Sequence, residues 1–252
     1  MIILFSGTGN SLHIANILSE TLGDRIVKLP VKDNVVDCLD NDRVIWVFPV
    51  YSWGVPPVVA RWIAELSIAG ADKAVHHAVM TCGDDVGMAD RMWRKAIEKR
   101  GWKAAGAYSV IMPNTYVLMK GFDVDSPEVA SEKIEAASPR TKAIAESILK
   151  NGSARIAEVV RGAFPWVKTK IIYPWFVRFD MSPKPFHSTD ACVGCGLCAQ
   201  ACPLSNILMV ESRPQWGDNC ALCLGCYHTC PHHAVAYGKA TLRKGRKPIL
   251  KT

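Results

Sequence analysis

Eight of the ten cysteines fall into two copies of one spacing, Cys-x2-Cys-x2-Cys-x3-Cys-Pro, set 28 residues apart. The first copy is Cys192, Cys195, Cys198, Cys202 and Pro203; the second is Cys220, Cys223, Cys226, Cys230 and Pro231. A cubane iron–sulfur cluster needs four thiolates converging from a short, tightly wound loop. In this spacing three cysteines at steps of three wrap one cluster, and the fourth, before proline, reaches across to the other. That rule assigns Cys192, Cys195, Cys198 and Cys230 to one cluster, and Cys220, Cys223, Cys226 and Cys202 to a second. The chemistry such a pair performs is electron transfer. Crossed ligation also makes the clusters part of the fold, because so small a unit buries too little apolar surface without them. Two other uses of cysteine compete. Zinc sites favour four ligands as two Cys-x2-Cys pairs, not a run of three plus a Cys-Pro. A disulfide scaffold wants an oxidising compartment. Here Met1 leads straight into Ile2-Ile3-Leu4-Phe5 with no charged leader or cleavage site, so a cytoplasmic location is expected.

A second chemical motif lies near the start. Ser6-Gly7-Thr8-Gly9-Asn10-Ser11 follows the first apolar run and leads directly into an amphipathic stretch. Backbone N–H groups and hydroxyls at a helix N-terminus suit an anion, and glycine lets the backbone approach it. The loop has no lysine, as a triphosphate loop requires, and no Gly-x-Gly-x2-Gly, as a dinucleotide loop requires. A single terminal phosphate fits better, with Thr8 and Ser11 as hydroxyl donors.

Around these motifs, short apolar or β-branched runs alternate with amphipathic stretches, which argues for a parallel α/β sheet. Strands are expected at Met1–Phe5, Arg25–Leu29, Arg43–Phe48, Ala74–Thr81 and Ala104–Met112. Leu12, Ala15, Leu18 and Leu22 share one face of a helix that ends at Gly23. Pro56-Pro57 opens a second helix through Trp62 and Leu66, and a third runs from Met88 to Lys99. Ser126-Pro127 opens a fourth stretch, and Pro139 predicts a break or kink before the end at Asn151-Gly152. Residues 30–42 are acid- and Asn-rich, so an irregular loop or single turn is expected there. Five strands with helices on both sides make a three-layer sandwich of about 150 residues.

The N-terminal loop resembles that of the flavodoxins, whose phosphate loop reads Ser/Thr-x-Thr-Gly-Asn-Thr. Ser6, Thr8, Gly9, Asn10 and Ser11 match it, with serine in the last place. Pro49-Val50-Tyr51-Ser52-Trp53-Gly54 resembles the aromatic loop that stacks on the isoalloxazine ring. Thr81-Cys82-Gly83-Asp84 resembles the loop along its pyrimidine edge. The resemblance implies FMN, bound at the carboxyl ends of a doubly wound sheet of order 2-1-3-4-5. One departure stands out: Asp85-Val86-Gly87 occupies the place where many flavodoxins carry a tyrosine over the outer flavin face. Pro113-Asn114-Thr115-Tyr116 offers a replacement aromatic, or is a surface turn. Residues 187–237 resemble a bacterial ferredoxin with two 4Fe–4S clusters in a small α+β fold. Together the halves resemble flavodoxin–ferredoxin fusion proteins of anaerobic bacteria and archaea.

The expected organisation is therefore an FMN domain over 1–152, a bridge over 153–186, a ferredoxin domain over 187–237 and a basic tail over 238–252. The chain has 252 residues, 49% of them apolar, with no run that reaches the ~20 uncharged apolar residues of a membrane span. Its net charge is +7, and the tail holds Lys239, Arg243, Lys244, Arg246, Lys247 and Lys251 without an acid. Such a tail reads first as a mobile, solvated end, and second as a steering element for an acidic redox partner or an anionic membrane surface. In the bridge, Trp166, Tyr173, Trp175 and Phe176 stand among Arg161, Lys168, Lys170 and Arg178. Packing between the domains is the first reading and membrane-surface contact the second.

Two functions from different classes fit these motifs. One is an electron carrier between FMN, two clusters and soluble redox proteins, with no substrate of its own. The other is a flavin-dependent reductase of a small molecule fed by its own clusters. No nucleic-acid recognition fold is present, and a homodimer stays open. Cys38 and Cys82 are left over, with Cys82 in the third loop. His13, His76 and His77 lack metal spacing, and His228, His232 and His233, among the cluster cysteines, read first as surface residues and second as an additional metal site.

Overall fold

The computed structural model describes residues 1–247; Lys251 of the basic tail lies outside the described residues. A parallel sheet of six strands organises the N-terminal part. Its members are β1 (Ile2–Leu4), β2 (Ile26–Lys28), β4 (Arg43–Pro49), β6 (Val75–Cys82), β7 (Lys103–Ile111) and β8 (Ala157–Glu158), in the order β2-β1-β4-β6-β7-β8. Two further short strands, β3 (Val35–Asp37) and β5 (Ser67–Ala69), pair in parallel as a side sheet.

Strand periodicity builds the layers. Ile3, Phe5, Val44, Trp46 and Phe48 point to one face, and Ile2, Leu4, Ile45 and Val47 to the other. The first face packs against α2 (Pro57–Glu65) and α3 (Ala89–Lys99) through Val59, Trp62, Ile63, Trp93 and Ile97. The second packs against α1 (Asn10–Leu22) and α4 (Pro127–Asn151) through Ile14, Leu18, Ile144 and Ile148. Strands buried on both faces read as continuous apolar runs, as β4 does.

Three local expectations are corrected. The sheet has a sixth strand, Ala157–Glu158, held at the edge by Arg140, which donates to Glu158 Oε2 at 3.1 Å and to its carbonyl at 2.9 Å. The 30–42 connection is not wholly irregular, since after the 3-10 turn Lys32–Asn34 it supplies β3. Helix α4 runs unbroken through Pro139. Proline inside a helix costs about 3 kcal/mol, but Ala137, Thr141, Ile144, Ala145 and Ile148 are all buried along the same helix. That packing outweighs one missing donor.

Beyond β8 the chain winds into an irregular helix over 165–180. Its α turns, α5 (Pro165–Val167) and α6 (Tyr173–Trp175), alternate with π turns at Lys168–Ile172 and Phe176–Asp180. One side packs inward through Thr169, Tyr173 and Phe176; the other leaves Trp166, Trp175 and Phe179 more than half exposed. No described helix is long and apolar enough to cross a membrane.

The C-terminal part has two antiparallel pairs, β9 (Phe186–Ser188) with β12 (Val235–Tyr237), and β10 (Ile207–Val210) with β11 (Arg213–Trp216). Two short helices, α7 (Leu197–Gln200) and α8 (Gly225–Thr229), stand between them. Its core includes Val117 and Leu118 from the N-terminal part, so the two parts share apolar packing. The tail, expected as a solvated end, is packed in part, with Lys239, Ala240, Leu242 and Arg243 exposed. Thr241 and Lys247 are buried, and Arg246 donates to the carbonyls of Tyr227, His233 and Val235.

Candidate functional site

The first motif forms where β1 hands over to α1. Gly9 has φ +90°, a left-handed conformation that favours glycine, and it starts the helix. Ser6 Oγ accepts from Leu12 N at 3.2 Å, and His13 N donates to Gly9 O at 2.9 Å. The N–H groups of Asn10 and Ser11 find no partner among the described residues. A helix start leaves such donors free, and the helix dipole adds partial positive charge. Ser11 Oγ lies 2.8 Å from Thr81 Oγ1, which ties this loop to the third one; Asn10 Nδ2 donates to Pro113 O at 2.8 Å.

The second loop closes as a tight turn, with reciprocal bonds between Tyr51 and Gly54 at 3.0 and 2.9 Å. Its central residues, Ser52 and Trp53, both adopt positive φ, 42° and 63°. Left-handed conformation at two non-glycine residues costs of order 1–3 kcal/mol each. The irregular helix holds this turn: Thr169 Oγ1 donates to Trp53 O at 2.7 Å, and Tyr173 OH donates to Val55 O at 2.5 Å. Lys168 Nζ sits 5.0 Å from the Trp53 ring and bonds Asp85 at 2.6 Å.

The third loop is fastened from α4. Lys133 Nζ donates to Gly83 O at 2.9 Å and to Asp125 Oδ2 at 2.8 Å, and the same carboxylate accepts from Asn114 N at 2.8 Å. Cys82 is buried, which pushes its thiol up to about 12 and argues against a reactive thiolate. The Asp84 side chain is 93% exposed, so this loop contributes backbone more than carboxylate.

All three loops line one cavity of about 360 Å3, within the usual range for a small-molecule site. From the first come Ser6, Gly7, Thr8, Asn10 and Ser11; from the others Pro49, Val50, Tyr51, Ser52 and Trp53, and Thr81, Cys82, Gly83 and Asp84. Gly9 and Gly54 shape their turns without lining it. The 113–116 loop is part of the wall rather than a surface turn, and Tyr116, Trp175 and Phe176 give the cavity an aromatic side. Asp180 also lines it; its Oδ2 is buried without a partner, and desolvation raises its carboxyl. Leu222, Cys223 and Leu224 complete the wall.

The cysteines gather in the two crossed sets. Cys192, Cys195, Cys198 and Cys230 line one small void of about 20 Å3. Cys202, Cys220, Cys223 and Cys226 lie near enough that negative charge on one raises the thiols beside it. Burial is the larger cause, and it pushes Cys223 up to about 12. Two backbone donors repeat with the spacing: Asn206 N donates to Cys202 Sγ and Ala234 N to Cys230 Sγ, each at 3.3 Å. Leu222 N donates to Cys220 Sγ at 3.4 Å. All ten cysteines are free thiols. Among the described residues no three His, Cys, Asp or Glu side chains converge on a single-ion site. Clustered, partly buried thiols with N–H donors aimed at Cys202, Cys220 and Cys230 fit iron–sulfur ligation, in which metal displaces the protons.

Several residues of the site carry no sequence signal. Lys133, Asp125, Thr169 and Asp180 act from elements distant in the chain, whereas Tyr173 is one of the bridge aromatics expected to pack. His228, expected at the surface, is buried and bonds Thr115 O at 2.9 Å through Nε2. His76 and His77 are core residues, with His76 accepting from Trp46 Nε1 at 3.1 Å.

Residues 183–204 match the 4Fe-4S binding domain family, which supports an iron–sulfur cluster in the C-terminal part. No curated protein sequence matches the chain. Among solved structures, an azoreductase from Bacillus anthracis str. Sterne is similar over 58% of this chain and 99% of its own, at 14% identity and a TM-score of 0.38.

Proposed function

We propose that the chain is an electron-transfer flavo-iron–sulfur protein, with FMN in the 360 Å3 cavity and two 4Fe–4S clusters on the crossed cysteine sets. Cys223 carries this reading. It lines the cavity with the phosphate-type and aromatic loops, and it also belongs to one cysteine set. A flavin exchanges one or two electrons and a cluster one, so the pair converts between two-electron and one-electron partners. The chain's own contribution is placement. Free N–H groups at the start of α1 suit a terminal phosphate, and Tyr51 and Trp53 flank the space for the ring. Leu222 and Leu224, both buried, exclude water beside the cysteine loop.

Iron and flavin analysis of protein purified without oxygen tests this directly. The expected content is about eight irons and one FMN per chain. Zinc in place of iron, or iron without flavin, would overturn it.

Asp180 favours a second reading. An unpartnered buried carboxyl oxygen in an aromatic-lined cavity would hold the proton that a small molecule takes up as it accepts a hydride equivalent from reduced flavin, as a flavin-dependent reductase needs. Anaerobic titration that follows flavin and cluster bands separately distinguishes the two. Rapid reduction by a nicotinamide nucleotide alone favours the reductase.

A further inference from the structure

The Ser6–Ser11 loop contains no cation, yet one reaches it from the other end of the chain. Lys247 is 6% exposed, and its ammonium bonds Asn10 Oδ1 in the first turn of α1. Its backbone is anchored as well: Lys247 N donates to His228 Nδ1 at 3.1 Å, and His228 Nε2 bonds Thr115 O. Asn10 in turn bonds Pro113 O. The C-terminal segment, α8, the 113–116 loop and the start of α1 are thus linked by one run of hydrogen bonds.

The environment of this ammonium is unbalanced. Among the described residues Lys247 has no carboxylate in ion-pair reach. Asp125, the acid that acts on it, is already paired to Lys133. Desolvation pulls Lys247 down to about 8; burial, and after it the Lys247 charge, lowers His13. A buried ammonium with one neutral acceptor is costly, and an adjacent anion offsets that cost. The free N–H groups of Asn10 and Ser11 stand beside the same acceptor.

We infer that Lys247 is a positioning and charge-supplying residue for a phosphate monoester at the start of α1, acting through Asn10. The C-terminal segment and the N-terminal loop then form a single anion site. This inference rests on the FMN reading and adds to it the source of the positive charge that the loop lacks. It also joins ligand retention to the packing of the tail: phosphate binding favours the docked C-terminal segment, and the docked segment favours phosphate.

The test compares FMN with riboflavin, which lacks the phosphate, on full-length, iron-loaded protein freed of flavin. Flavin fluorescence quenching reads both affinities in wild type, Lys247→Met and Lys247→Arg. Lys247→Met is expected to weaken FMN by about 10- to 100-fold, the size of a lost charge-assisted bond. Riboflavin affinity should stay within about twofold, and Lys247→Arg should keep most of the preference for FMN. The flavin-free Lys247→Met protein should melt no lower than wild type, because an uncompensated buried charge is gone. An unchanged ratio of FMN to riboflavin affinity in Lys247→Met overturns the inference. Equal loss of both flavins with a lowered melting temperature shows a structural role and overturns it too. Wild-type protein that binds neither flavin removes the FMN reading itself, and this inference with it.

Discussion

The backbone of Gly7 lies directly against Cys223: a Cβ on Gly7 would collide with Cys223 Cβ and stand 2.9 Å from its sulfur. Gly225 is pressed against the carbonyl of Gly7 in the same way. The first loop and the cysteine loop are therefore in contact with only the Cys223 side chain between them. Gly7→Ala should separate them. A loss of about 1–3 kcal/mol is expected from such overpacking, read as a lower melting temperature and faster proteolysis within 153–186. An unchanged melt would mean that this contact is not tight in solution.

Crossed ligation predicts how cysteine variants group. Cys230→Ser should remove the same half of the iron as Cys192→Ser, and Cys202→Ser the same half as Cys220→Ser. Iron analysis with electron paramagnetic resonance of the reduced protein would show this. Matching loss in Cys202→Ser and Cys192→Ser would instead assign each cluster to one local motif.

Tyr51 presents a sharper case, because its hydroxyl is buried without a partner beside Cys223 and Cys220. A buried donor left unsatisfied costs about 1–3 kcal/mol, so Tyr51→Phe should stabilise the iron-free protein. In iron-loaded protein, hydrogen bonds toward sulfur tune potential. Tyr51→Phe should then lower the midpoint potential of one cluster and leave the other unmoved. Equal potentials for both proteins would assign the hydroxyl another role.

The bridge is held by a buried charge. Arg161 makes two bonds to Asp90, at 2.7 and 2.6 Å, and the Asp90 side chain is 3% exposed. Removing one partner of such a pair typically costs about 3–5 kcal/mol. Arg161 is itself partly exposed, so about half of that is expected for Arg161→Ala. Asp90→Asn in the same background should restore much of the loss, since the stranded charge is then gone. Denaturant unfolding of the three proteins measures both steps.

Acid should weaken the N-terminal part through its core histidines. Burial lowers His76 and His77 to about 4, so the folded state binds protons less readily than the unfolded chain below pH 6.5. Stability therefore falls as pH drops from about 6.5 to about 4, by up to ~3 kcal/mol for each group. His76 stacks on Trp102 at 4.8 Å, so tryptophan fluorescence reports the transition. His76→Gln should flatten the curve across that window.

Much of this was legible in local pattern. The continuous apolar runs of β1 and β4, the apolar stripe of α1 and the glycine at its start each depend on neighbours a few residues apart. The sixth strand was not, because two residues carry no period and Ala157–Glu158 is held by Arg140 of α4. Pro139 misled for a related reason: local chemistry argues for a break, whereas burial along α4 is a property of the assembled layers. The docking of Thr241, Arg246 and Lys247 was hidden as well. A run of lysines and arginines looks solvated until the surface that receives it exists.

By itself the amino-acid order determined which groups can meet iron and phosphate, since cysteine spacing and a glycine-rich turn are set within one or two turns of chain. Only the tertiary structure decided that Cys223 stands at the wall of the N-terminal cavity and that Lys247 reaches Asn10. Those pairs are separated by much of the chain. Their meeting depends on how layers, bridge and tail pack together, and no local periodicity encodes it.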